Sequence, residues 1–283
     1  MKNFQKIIDE VGDFPTLPTI YTSLLNVMAD PRSSVNDVAR IVTQDIAAST
    51  KILKTVNSSV YSLATKIDTI TQAIFHLGFN EVKNLVIGLS VMDMFSESSS
   101  LPTFNILDLW KHSIGVGVIA RIIGTEIGIK NVENYFLSGL IHDIGKLFFL
   151  ERLNSEYSEV IRIVEDKSFI IEQAEKEVLG LTHCEAGELL AKKWGLPQSI
   201  INSIRYHSTG FIGNEANLQV ATIHLANVIA RVLEFGFGGD KFIPRVNSAI
   251  WNVMKIEEGL LSTLLSKFNR GYSQSISILL KTN

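Results

Sequence analysis

The run Ser138-Gly139-Leu140-Ile141-His142-Asp143-Ile144-Gly145-Lys146-Leu147 sets a histidine and an aspartate side by side in an otherwise apolar, helix-patterned segment. Burying an imidazole and a carboxylate together is costly unless something pairs with them. A shared cation is one solution. Neighbours on a helix point about 100° apart at nearly the same height, so one ion set between them reaches both. A hydrogen-bonded core pair without an ion is the other solution, and the dipeptide alone leaves both open. Gly145 lets a second helix approach closely. Lys146 puts a positive charge one turn beyond the pair, to meet an anion as a mobile point charge or to snorkel to solvent.

The elements that must position this pair read as helices. Residues 1–13 carry Phe4, Ile7, Ile8 and Val11 on one face, and Phe14-Pro15-Thr16-Leu17-Pro18 ends that helix. Pro18 suits the first turn of the next helix, which bears Ile20, Leu24, Leu25 and Met28 and stops at Asp30-Pro31. Ser34 with Asp37, and Thr69 with Gln72, form capping boxes, and Asp45 caps a helix of its own. Asn57 to Asp68 reads as a loop or a broken helix. Gly78 separates a short helix from one starting at Asn80 and Glu81 and bearing Val82, Leu85, Val86, Leu89 and Met92. Ser96 to Pro102 reads as a linker. After it come a helix with Trp110 and His112, eased by Gly115, Gly117 and Ala120, and one or two amphipathic helices from Glu151 to Leu179. Leu181 to Gly187 leads into a helix that stops at Trp194-Gly195-Leu196-Pro197, and Pro197 opens the helix ending at His207. Ser208 to Asn217 is a loop, and Leu218 to Leu233 is an apolar helix with His224, Asn227 and Arg231 embedded in it. Helices around Ala249–Ile256 and Glu257–Phe268 and a polar tail from Asn269 finish the chain. The expectation is an all-α protein in three parts: 1–100, 101–235 and 236–283.

Composition narrows the function. Among 283 residues the net charge is −3, so no global basic field favours nucleic acid. Mean hydropathy is +0.22, yet no stretch approaches the ~20 apolar residues of a spanning helix, and Met1 to Phe4 leads into no signal core. Neither a membrane nor a nucleic-acid partner is expected. One cysteine, Cys184, rules out an internal disulfide framework and suits a reducing, cytoplasmic setting. It reads as a small buried filler beside His183. The helices around Leu77-Gly78-Phe79 are a poor helix-turn-helix, because the second is apolar on most sides and offers only Lys83 near its start. Gly238-Gly239-Asp240 matches part of a nucleotide-cyclase signature but lacks flanking strands.

Phe14-Pro15-Thr16-Leu17-Pro18, Val38-Ala39-Arg40-Ile41, Asp45, Lys51-Ile52-Leu53, Asn57-Ser58, Ile70-Thr71-Gln72-Ala73-Ile74 and Leu77-Gly78 together resemble the HDOD domain over most of residues 12–235. HDOD domains are bacterial signalling modules related to the HD phosphohydrolases. The resemblance implies an N-terminal helical lobe packed on an HD-like bundle, and regulation rather than catalysis.

It also implies a ligand set. HD sites use a first His, the His-Asp pair and a last Asp, which match His112, His142, Asp143 and, in place of the Asp, Asn227. His183 and His207 match the places of additional ligands in two-metal relatives. The Gly-Tyr-Pro signature of the cyclic-dinucleotide phosphodiesterases is absent after His207. The expected cofactor is a divalent metal such as iron, nickel, zinc or manganese, held less tightly than in a complete HD site. Lys146 and Arg231 are candidates for an anion. The expected function is a cytoplasmic signal-transduction module that binds a signalling protein, or a small phosphorylated ligand, through a degenerate HD-type pocket. The alternative is a metal-dependent phosphohydrolase. His224 matches no ligand position and reads as a core group. No receiver or output segment is recognisable, so an incoming signal is expected from a separate molecule.

Overall fold

A computed structural model describes residues 15–30, 32–59, 61, 63–95, 101–167, 169–256 and 259–280. The predicted helix over residues 1–13 and most of the serine linker lie outside them. The fold is all-α: α1 (Thr19–Ala29), α2 (Val35–Gln44), α3 (Ile46–Val56), α4 (Ile70–Leu77), α5 (Phe79–Met94), α6 (Ile106–Glu126), α7 (Val132–Ile141), α8 (Ile144–Arg152), α9 (Asn154–Lys167), α10 (Ile171–Val178), α11 (His183–Lys193), α12 (Gln198–Tyr206), α13 (Leu218–Val232), α14 (Ser248–Met254) and α15 (Leu260–Leu279).

The caps read from sequence set the starts of several of these. Ser34 and Asp37 close a reciprocal capping box, and the Asp45 carboxylate accepts the Ala48 N–H. Thr69 accepts the Gln72 N–H, but Gln72 reaches back to the N–H of Asp68 rather than to that of Thr69, so this box is displaced by one residue. The loop after α12 holds a two-residue hairpin, β1 (Phe211–Ile212) with β2 (Glu215–Ala216). The sequence from Asn269 is not a tail. It continues α15, because Phe268, Ser275 and Leu279 recur at helical spacing and are buried. Phe268 and Tyr272 pack on Phe235, with ring centroids 4.5 Å away in each case.

The long α6 is the axis of the bundle, with α7, α13 and α15 packed around it. Its small residues permit this. A Cβ on Gly139 of α7 would stand 2.7 Å from the Gly117 Cα of α6, so the two backbones touch. The lobe α1–α5 joins the bundle through α5, which is buried along most of its length against α7. The buried apolar side chains form one connected cluster running from Leu17 to Leu279.

Candidate metal centre

His142 and Asp143 do not lie within one continuous helix. α7 ends at Ile141 and α8 begins at Ile144, so the pair occupies the turn between them. Asp143 leaves the helical region (φ −97°, ψ 17°), and this turns both side chains into the bundle. α11 crosses just beyond. A Cβ on Gly145 would stand 2.0 Å from the His183 carbonyl oxygen. That approach carries His183, the first residue of α11, to the pair. His112 enters from α6, and His207 from the C-terminal end of α12.

Each imidazole at this centre with a resolved Nδ1 partner is oriented the same way. His142 Nδ1 donates to the Gly139 carbonyl (2.7 Å), and His207 Nδ1 to that of Ile204 (2.9 Å). His183 Nδ1 donates to Glu175 Oε2 at 2.7 Å. Glu175, on α10, also accepts the His183 backbone N–H and the Tyr157 hydroxyl. Fixing Nδ1–H in this way turns Nε2 inward, as the outer partners of metal-bound histidines do. The inner atoms converge. Asp143 Oδ1 lies 3.3 Å from His183 Nε2 and 3.4 Å from His207 Nε2, and Asp143 Oδ2 lies 3.3 Å from His142 Nε2. His112 Nε2, His142 Nε2 and Asp143 Oδ1 have no hydrogen-bond partner among the described residues.

The centre is fully enclosed: His112, His142, Asp143, His183, His207 and Asn227 are each no more than 3% exposed. Lys146 is completely buried and does not snorkel. Its ammonium donates to Asp143 Oδ2 (2.7 Å) and to the Gly238 carbonyl (2.8 Å). Phe237 N–H donates to the Asp108 carbonyl, which pins the Gly236–Asp240 loop to α6 as a roof. A Cβ on Gly238 would meet His112 Nε2 at 3.3 Å. Arg231 is also engaged, donating to Asp240 Oδ1 (2.6 Å), to the Phe242 carbonyl (2.9 Å) and, through Nε, to Asn227 Oδ1 (3.3 Å). The Asn227 amide oxygen therefore faces Arg231. His224 donates from Nδ1 to the His207 carbonyl, a core role, while its Nε2 has no partner among the described residues.

The electrostatics divide the centre in two. Burial pushes His112 well below the usual imidazole range and His142 down to about 4, so both are neutral and able to donate a lone pair. Burial opposes the Asp143 anion, but His142 and Lys146 outweigh it and hold the carboxyl well below its ordinary range. On the other side, burial also opposes charge. Even so, Cys184 and Glu175 push His183 up to about 10, and Cys184 and Asp143 push His207 up to about 10. The same two histidines overcome burial at Cys184 and bring its thiol down to about 6.

Glu175 and Tyr157 carry no signal of this role in the motifs of the sequence, and Asp240, part of the Gly238-Gly239-Asp240 match, instead holds Arg231 and the Ile171 N–H. One signal was there for Glu175: it falls on the buried stripe of α10 with Ile171 and Ala174, where a carboxylate needs a partner.

A family model of the HDOD domain matches residues 14–209. The chain belongs to the HDOD family. Its fold matches that of an HDOD protein of unknown function from Geobacter sulfurreducens (27% identity, TM-score 0.79, 97% of this chain and 96% of the other). It also matches the fold of a proposed phosphohydrolase from Shewanella amazonensis (21% identity, TM-score 0.74, 96% and 97% of the two chains). An uncharacterised protein of Treponema pallidum (strain Nichols) is 23% identical over 81% of this chain and 44% of its own length. The uncharacterised YuxH of Bacillus subtilis (strain 168) is 28% identical over 50% and 32%. This HDOD chain thus spans less than half the length of the curated relatives it matches. The donors fit a divalent metal: His112, His142 and Asp143 offer ligand atoms within 4.8 Å of one another, and three of the atoms at the centre are buried without a hydrogen-bond partner among the described residues. Neutral imidazole suits iron, nickel and zinc.

Proposed function

We propose that this HDOD chain is a cytoplasmic regulatory module of signal transduction, in which the HD-type pocket holds a divalent metal as part of the fold and a signalling protein is read on the outer surface. The observation that carries this reading is enclosure. Every donor is buried, Lys146 occupies one oxygen of Asp143, and the Gly238 backbone covers His112. A substrate reaches such a centre only after the roof and the lysine move together. The engagement of Arg231 with Asp240 and of Lys146 with Gly238 argues in the same direction. A small phosphorylated ligand enters this reading only when the Gly236–Asp240 loop opens.

The second reading is a metal-dependent phosphohydrolase. It is favoured by the unpartnered Nε2 and Oδ1 atoms that face one another. A metal held there would polarise a phosphate and acidify its bound water. His142 and His112 would remain neutral ligands, and Lys146 would steady the Asp143 carboxylate.

Assays of phosphomonoesters, phosphodiesters and cyclic dinucleotides with added manganese, iron or nickel separate the two. The expected outcome is little or no turnover. Robust metal-dependent turnover that disappears in His142→Ala would establish the enzyme reading instead.

A further inference from the structure

We infer that Cys184 is a metal ligand, and that its sulfur joins the Nε2 atoms of His183 and His207 in a thiolate-containing site for a thiophilic divalent ion such as zinc. This rests on the reading that the pocket holds a metal.

The argument is the spacing of the donors. A tetrahedral ion about 2.0–2.1 Å from imidazole nitrogen and about 2.3 Å from sulfur sets two nitrogens roughly 3.3–3.4 Å apart, and each nitrogen roughly 3.5–3.6 Å from sulfur. His183 Nε2 and His207 Nε2 are 3.4 Å apart. Cys184 Sγ lies 3.5 Å from the first and 3.9 Å from both ring nitrogens of His207, so the sulfur sits beside that ring and must swing outward to share an ion on its Nε2. Two edges match a metal-bound triangle, and the third is slightly longer. The three residues are each no more than 2% exposed, and their ligand atoms all lie within 4.8 Å.

Asp143 Oδ1 supplies an independent sign. It is 3.3 and 3.4 Å from the same two Nε2 atoms, close to the roughly 3.4 Å edge expected for a nitrogen and an oxygen on one ion. It is nonetheless buried without a hydrogen-bond partner among the described residues. Without an ion, that oxygen depends on Nε2 protons of the two raised imidazoles, His207 above all. An ion between the two imidazoles brings the carboxylate within reach as well.

The outer partners are already in place, with Glu175 on His183 and the Ile204 carbonyl on His207. Cys184 has its place because α11 starts at His183 under the Thr182–Glu185 capping box, so the first two residues of the helix face the centre together. Metal binding would release the Nε2 protons of the two raised imidazoles, and any proton still on the thiol, to solvent and leave neutral imidazoles and a thiolate as ligands. Thiolate ligation favours zinc over manganese, which prefers oxygen donors.

The test is to load the metal-free full chain with Co(II) and record its absorption. Co(II) bound through sulfur gives an intense near-ultraviolet sulfur-to-cobalt charge-transfer band beside the visible ligand-field bands. The expected result is that band in the wild type, its loss in Cys184→Ser and Cys184→Ala, and displacement of cobalt by zinc at a lower concentration than by manganese. The wild-type spectrum is informative whatever the variants do on folding. Visible bands without the charge-transfer band in the wild type would overturn the thiolate ligand and leave the metal pocket standing. No cobalt binding at all would overturn both.

Discussion

Lys146 is the residue on which the enclosed pocket turns. Its buried ammonium sits between a carboxylate oxygen and a backbone carbonyl. A buried ion pair adds little net stability, but removing one partner costs about 3–5 kcal/mol. Lys146→Met is therefore expected to lower the unfolding free energy of the metal-free protein by about that amount in a denaturant titration. Zinc should restore part of the loss, because binding to the native state stabilises it by mass action. Asp143→Asn is expected to abolish metal retention, measured by elemental analysis after dialysis. Asn227→Asp is expected to strengthen retention, but Arg231 already donates to that side-chain oxygen and will claim part of the new charge. Unchanged affinity in that variant would mean that position 227 does not face the ion. At this scale the sequence was informative about His112, His142, Asp143, His183 and His207, which the structure gathers into one buried centre. It left the direction of Lys146 open, because a lysine on an apolar helix reads the same whether it points out or in.

Among elements, the crossing of α8 and α11 matters most. Gly145→Ala would push a methyl group into the His183 carbonyl, and overpacking of this kind costs about 1–3 kcal/mol or more. The variant is expected to melt lower and to lose metal, whereas Gly259→Ala, where a Cβ meets nothing within 4 Å, should do neither. The seam between lobe and bundle predicts a pH effect. Tyr61 and Arg121 both hydrogen-bond the buried Glu133, whose N–H donates to Glu81 Oε2 at 3.1 Å. Burial and then the Glu133 charge raise Glu81 from 4.5 to about 7. A raised carboxyl favours folding in its protonated form. Its contribution is thus complete below about pH 4.5 and is lost as the pH rises through about 7. The melting temperature should fall across that window, and Glu81→Gln should flatten the fall. The caps made several helix starts legible, but not the break at His142. Both flanks of that break are apolar, and the close approach of α11 at Gly145 is a tertiary feature with no local signal. The helical continuation past Asn269 was hidden for a similar reason: its buried stripe is Phe268, Ser275 and Leu279, two apolar positions with a serine between them.

For the whole molecule, one connected core spanning lobe and bundle implies one cooperative unit. Calorimetry is expected to give a single unfolding transition, and two resolved transitions would show that the lobe and the bundle melt separately. The roof of the pocket has a further consequence, for biosynthesis. The groups that enclose the His-Asp turn are scattered from His112 to Asp240, and Lys146 closes on Gly238, 92 positions further along the chain. Contacts of such long separation form late, because the loop entropy must be met before they contribute. On a ribosome releasing the chain from its N-terminus, residues up to His207 emerge while the enclosing loop is still unmade. On the reading that the pocket holds a metal, ion capture becomes a finishing step of maturation, and a nascent chain stalled before Gly238 would leave the donors open to whichever metal the cell supplies in excess.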